Sequence, residues 1–237
     1  MTTRRKVAKK AKPAKKKKAS ARRTPRAAMA VATSSKKPTQ QRVAALAEAP
    51  LAVCESDENL QAMLKILRDK KELIKVRLAA LQSLQAASFS VIAFESCRGD
   101  YMAALREVMD DPDPELRQRV LGILARENDA YVQQRLLDGL QSPDNALVAP
   151  EKALQLLSYD IHAEAYPVAR EIVSNPPSPE AKREALRILS ADAASAPVFE
   201  KLMLDKEEDR EIRQISAAAY GSILLKHFTQ SSASVLT

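Results

Sequence analysis

The 237-residue sequence has no tryptophan, four glycines, two cysteines, two histidines and nine Phe and Tyr residues together. Each shortage excludes something. Glycines at 99, 122, 139 and 221 alone are too few for a β-rich fold or for a glycine-rich phosphate loop, and no Gly-x-Ser-x-Gly signature occurs. His162 and His227 stand in no metal-ligand or Cys/His spacing, so neither a metal nor a cofactor is expected. Cys54 and Cys97 form no close-spaced pair and suggest no disulfide framework; both are expected to be reduced thiols serving as small core residues of an intracellular protein. No apolar run approaches the roughly 18 residues of a membrane span, and no apolar signal segment follows the basic N-terminus. A transit peptide is disfavoured because the Lys15–Lys18 block has no apolar face beside it. The expected location is cytoplasmic (nucleoid-associated) or nuclear.

Charge is plentiful and segregated. Met1 to Arg42 holds 16 Lys and Arg and no acid, leaving 22 bases against 30 acids for residues 43–237, a split of +16 and −8. The only large apolar residues in 1–42 are Met1, Val7, Met29 and Val31. So little apolar area cannot offset an ordering entropy of roughly 1–2 kcal/mol per residue, and the span is predicted to be a disordered tail. Flexible cations displace counterions from a polyanion without fixed geometry, and the tail has no aromatic residue to stack on exposed bases. The candidate nucleic-acid contacts are Arg4, Arg5, Lys6, Lys9, Lys10, Lys12, Lys15, Lys16, Lys17, Lys18, Arg22, Arg23 and Arg26. This block resembles the Lys/Ala/Pro tails of linker histones and of histone-like bacterial proteins. With about half of the charges on phosphates, log affinity would fall against log salt with a slope of roughly −7. A localisation signal, a membrane-surface patch and a strand folded back on the acidic body are the alternatives, the membrane one being weakened by the lack of a lipidation motif.

Beyond the tail the chain is rich in helix formers, and Leu60, Met63, Leu64 and Leu67 fall on one helical face with Asp57 as candidate N-cap. A repeat is also present. The nine-residue segments beginning at Val76, Leu116, Ala149, Ala181 and Ile212 superpose without gaps, and their second positions, Arg77, Arg117, Pro150, Lys182 and Arg213, are 40, 33, 32 and 31 residues apart. A period near 32 fits two helices and two short turns. The clusters Asp110–Pro114, Ser142–Asp144, Asn175–Pro179 and Asp205–Asp209 precede the second helices, where proline and acids suit the first turn.

The pattern apolar-Arg-x-x-Ala-x-x-x-Leu after an Asp/Pro turn resembles HEAT repeats, in particular the short variety of phycobilin-lyase-type repeat proteins. The resemblance covers about residues 57–228. It implies an all-α fold, an α-solenoid of about five helical hairpins over 43–228, with a disordered tail at 229–237. It also implies close helix approach at Ala80, Val120, Ala153 and Ala185, and a concave surface lined by the second helices. Three departures are visible: Pro150 in a basic position, expected to start its helix late; Ser216 and Tyr220 for Ala and Leu; and a long first spacing across Ala87–Ser96, expected to lengthen a helix or form an irregular turn.

The repeat-defining bases Arg77, Arg117, Lys182 and Arg213 admit two readings. Either they cover apolar surface and pair with an acid of a neighbouring turn, Asp113 being one candidate, or they contact a ligand on the concave face. Nearby Glu115, Glu151, Glu184 and Glu211 favour the former. The function expected is a non-enzymatic scaffold or adaptor, binding a protein partner through the solenoid and nucleic acid or another polyanion through the tail. One alternative is a pure protein–protein scaffold whose tail serves localisation. The other is a HEAT-like enzyme of the DNA-glycosylase or bilin-lyase type, which the lack of tryptophan and the scattered aromatics disfavour.

Overall fold

The computed structural model describes residues 24–161 and 163–234, with side chains as far as Lys226. Every regular element among them is helical: α1 Pro25–Ala32, α2 Thr39–Ala47, α3 Asp57–Arg68, α4 Ile74–Ser88, α5 Val91–Glu107, α6 Pro114–Arg126, α7 Ala130–Gln141, α8 Pro150–Leu157, α9 Ala165–Ser174, α10 Pro179–Leu189, α11 Ala196–Leu204 and α12 Arg210–Ser234, with short 3-10 segments at Pro50–Glu55, Pro143–Asn145 and Ala193–Ser195. Neighbouring helices pack in pairs, α1 on α2 through α11 on α12, and the even-numbered helices also touch in sequence from α2 to α12.

The repeat segments lie in α4, α6, α8, α10 and α12. Four of these helices begin two residues before the segment, at Ile74, Pro114, Pro179 and Arg210. The exception is α8, which begins at Pro150, inside its segment. Ala149, the residue before that proline, is extended at φ −58°, ψ 150°, as the proline ring demands. The late start expected at Pro150 is therefore present, and the long first spacing is absorbed by lengthened helices, 15 residues in α4 and 17 in α5.

Capping follows the turn chemistry with two corrections. Asp113 and Ser178 accept from Leu116 N–H and Ala181 N–H, each followed by proline at the first helical position. For α3 the cap is Ser56, which accepts from Asn59 N–H, and Asp57 is merely the first helical residue. The Ser142–Asp144 cluster caps no α-helix. It forms a 3-10 turn folded so closely on α7 that a Cβ at Gly139 would sit 2.9 Å from Ala146 Cα. Between α6 and α7, Asn128 adopts φ 55°, letting Asp129 N–H reach Leu124 O at 3.1 Å and close the helix end.

Helices extend into both spans expected to be tails. Residues 24–42 carry structure: Thr24 caps α1 by accepting from Ala27 N–H, Ala28, Met29 and Ala32 are buried, and α2 buries Arg42, Ala45 and Leu46. Small alanines add little apolar area each, which is why a count of large side chains missed them, but they let α1 and α2 pack closely. Gln41-Arg42-Val43-Ala44-Ala45-Leu46 is in register with the repeat, two residues after the start of α2, and so supplies a sixth unit. At the other end α12 continues through Ser234 across most of the span expected to be a tail.

At the close-approach positions Ala45, Ala80, Val120, Ala153 and Ala185 are all buried, and Leu84, Leu124 and Leu189 are wholly enclosed. Truncating Leu124 or Leu189 to Ala is expected to cost roughly 2–5 kcal/mol in denaturant melts. The same change at exposed Leu204 should stay within about 0.5 kcal/mol.

Candidate binding surfaces

Three of the recurring bases, Arg42, Arg77 and Lys182, are cross-links. Arg42 Nε donates to Ala32 O at 3.0 Å, in the last turn of α1, and its Nη2 lies 2.6 Å from Glu72 Oε2 in the turn of the next pair. Arg77 repeats the arrangement one unit on: Nε to Leu67 O at 2.9 Å and Nη2 to Asp111 Oδ2 at 2.6 Å, with side-chain exposures of 4 % and 0 %. Each guanidinium thus satisfies a helix-end carbonyl of its own pair and clamps an acid of the following one. Lys182, with only one donor group, keeps the forward half alone, reaching Glu208 Oε2 at 2.5 Å.

Two positions break the series. Arg117 Nη1 donates to Asp111 O at 2.6 Å, but its Nε is buried without a partner, and the acid of the next turn, Asp144, lies in the exposed segment Ser142–Ala146. Arg213 Nε is likewise buried without a partner. Asp113, the sequence's candidate partner for a repeat base, is occupied as the α6 cap; the partner of Arg77 is Asp111, which also accepts from Asp113 N–H at 3.0 Å.

Burial alone would push the Asp111 carboxyl up, but hydrogen bonds from Arg77 and from Asp113 N–H, with the Arg77 and Lys70 charges, outweigh it and hold it below the ordinary 3.8. The hydrogen bond from Arg42 is the main cause holding Glu72 below 4.5, against an opposing push from burial. Both carboxylates therefore contribute stability that is complete above their unfolded values and is lost as pH falls through the lower folded ones. Acid melts of Asp111→Asn and Glu72→Gln are expected to show a shallower loss of stability below about pH 4 than the parent chain. At neutral pH, Asp111→Ala should cost roughly 3–5 kcal/mol by stranding the buried Arg77 charge, and the Arg77→Met, Asp111→Leu double variant should recover most of that in a double-mutant cycle.

With Arg42 and Arg77 engaged inside, three open grooves are lined by other residues. A groove of about 580 Å³ crosses α2, α4 and α6, with Val43, Leu78 and Ala79 at its floor and exposed Gln40, Lys75, Gln82 and Arg119 at its rim. A second, about 430 Å³, runs over α6, α8 and α10 between Gln118, Lys152, Gln155 and the charges of Glu180, Arg183 and Glu184. A third, about 470 Å³, lies between α10 and α12 and includes Arg187 and Lys226. None of the three has an aromatic lining residue. Separately, the α4–α5 corner exposes Phe89, Val91 and Ile92, the last at 96 %.

Of the candidate nucleic-acid contacts only Arg26 is described, exposed on α1; Arg4, Arg5, Lys6, Lys9, Lys10, Lys12, Lys15, Lys16, Lys17, Lys18, Arg22 and Arg23 lie outside the described residues. His162 and the His227 side chain do too. Among the described residues no three His, Cys, Asp or Glu are grouped to hold a metal ion, and no helix is long and apolar enough to cross a membrane. Two features escaped sequence reasoning. Arg42 was cut off from its repeat by the charge count, although Arg42-Val-Ala-Ala-Leu46 carried the signal; the meeting of Cys54 with Cys97, sulfurs 2.7 Å apart, had no local signal at all.

No protein-family model, curated protein or solved structure matches the chain. The class its own geometry defines is an all-helical protein of consecutively packed helix pairs.

Proposed function

We propose that the chain is a non-enzymatic adaptor: a HEAT-like α-solenoid of six hairpins that holds a protein partner along its second helices, with a basic N-terminal segment that engages nucleic acid or another polyanion. The observation that carries this reading is the charge split on either side of Thr24, the cap of α1. Residues 1–23 contain 12 of the 38 Lys and Arg and none of the 30 Asp and Glu, leaving a net −4 on everything after them. A segment of that density binds phosphates by counterion release, while the acidic body behind it does not compete for the same surface.

The groove over α2, α4 and α6 supports the protein-binding half. It combines an apolar floor with a polar rim that is free of the internal cross-links, Lys75 having no partner among the described residues. The lack of aromatic residues in the three grooves speaks against stacking a flipped base there.

Binding to random-sequence duplex across a salt series tests the polyanion half. If half of the twelve charges meet phosphates, the full chain should show a log–log slope of roughly −5, and a chain starting at Thr24 should lose most affinity and slope. Equal binding by the two would end the reading. The cut belongs at Thr24, not at Val43, because α1 and α2 pack onto the body. Capture from native extract that survives nuclease and is lost in the Lys75→Glu, Gln82→Glu variant is expected for the protein-binding half.

A further inference from the structure

Cys54 lies half-buried in the 3-10 segment Pro50–Glu55, which leads from α2 into α3; Cys97 is buried in the middle of α5. Their sulfurs are 2.7 Å apart across 43 residues of sequence. That is closer than the ~3.5–4.0 Å at which ordinary nonbonded heavy atoms rest, and only a small movement from the ~2.05 Å of an S–S bond. As two thiols the contact contributes little, since S–H is a weak donor and sulfur a weak acceptor. A single free cysteine is accounted for as a small apolar residue; two in direct contact, joining segments distant in the chain, are accounted for by the bond they can form.

We propose that Cys54 and Cys97 are a reversible modification site: an intramolecular disulfide formed by exchange with a small-molecule disulfide of the glutathione type. Cys54, the more accessible, loses its proton and attacks one sulfur of the reagent. The reagent's S–S bond breaks, one thiol is released, and a mixed disulfide remains on Cys54. Cys97 then attacks the Cys54 sulfur, the Cys54–Cys97 bond forms, and the second thiol leaves. The two protein thiol protons end on the two released thiols; the protein is oxidised by two electrons and the reagent reduced by two. Burial, with the hydrogen bond and charge of Cys97 adding to it, pushes the Cys54 thiol up to about 12, so the first step is slow at neutral pH. The product fastens the segment that carries α1 and α2 to α5, closing the loop of chain that includes α3 and α4.

The test uses the full chain, incubated with oxidised glutathione, then alkylated under denaturing conditions and weighed. The expected product is lighter than the starting chain by two hydrogens, takes up no alkylating reagent, yields a Cys54–Cys97 linked peptide on digestion, and regains two thiols in dithiothreitol. Its melting temperature should rise by roughly 5–15 °C for a loop of this length. A stable glutathionyl adduct on Cys54 with Cys97 still alkylatable would overturn the proposal, as would disulfide-linked dimers or two thiols that stay free after prolonged incubation at alkaline pH. Cys54→Ser serves as the control and should acquire no bond at buried Cys97.

Discussion

No helix pair in this protein can enclose its own apolar face, and that constraint organises everything else. Four of the six second helices present Ala at the fifth position of the repeat segment and Leu at the sixth, Ala45–Leu46, Ala80–Leu81, Ala153–Leu154 and Ala185–Leu186, all buried, and α6 has Val120–Leu121 there. The alanines bring backbones close and the leucines fill the space between successive pairs. Removing a pair would expose both its neighbours, so the buried surface belongs to the series and not to any one hairpin. Where the pattern lapses the cost is visible: Ser216 replaces alanine in α12, is wholly buried, and has a hydroxyl oxygen without a partner.

The arginine cross-links are the polar side of the same constraint. A first helix ending against a second helix leaves carbonyl groups that must find donors in a place water reaches poorly. Arg42 and Arg77 meet that need with Nε and use the rest of the fork to hold the next turn's acid. A planar guanidinium sets its donors far enough apart to do both at once, whereas Lys182 shows only one half of the arrangement. At Pro150 the base and the early helix start are lost together and Asp144 of the preceding turn is exposed, so α8 depends on the apolar contacts of Ala153, Leu154, Leu156 and Leu157.

Features that repeat, or that depend on a residue's immediate neighbours, were legible in the sequence. The register of α4, α6, α8, α10 and α12, the late start at Pro150 and the caps at Asp113 and Ser178 all follow from local chemistry or from comparing one unit with the next. Charge counting is a poorer guide, because it assigns Arg42 to a solvated tail although its side chain is 8 % exposed and paired. The choice of Asp111 over Asp113 was illegible for a different reason. Both acids sit in one turn, and only the packing of α4 against that turn decides which faces the arginine. Cys54 and Cys97 belong to the same kind: their meeting depends on how the 3-10 segment lies over α5, a tertiary fact without a local code.

This division bears on where recognition can reside. The most regular basic positions are drawn inward, and a guanidinium held by a buried carboxylate and a helix-end carbonyl is not available to a ligand without breaking the junction it stabilises. In the proposed adaptor, binding specificity would fall to positions the repeat does not dictate, such as Gln40, Lys75, Gln82 and Arg119 around the first groove and Gln118, Lys152 and Gln155 around the second. Those side chains stand on exposed helix faces, where substitution alters the surface and leaves the packed interior alone. In the proposed adaptor role, the residues that hold the units together would be separate from those that choose a partner, and the two sets would meet only at the turns.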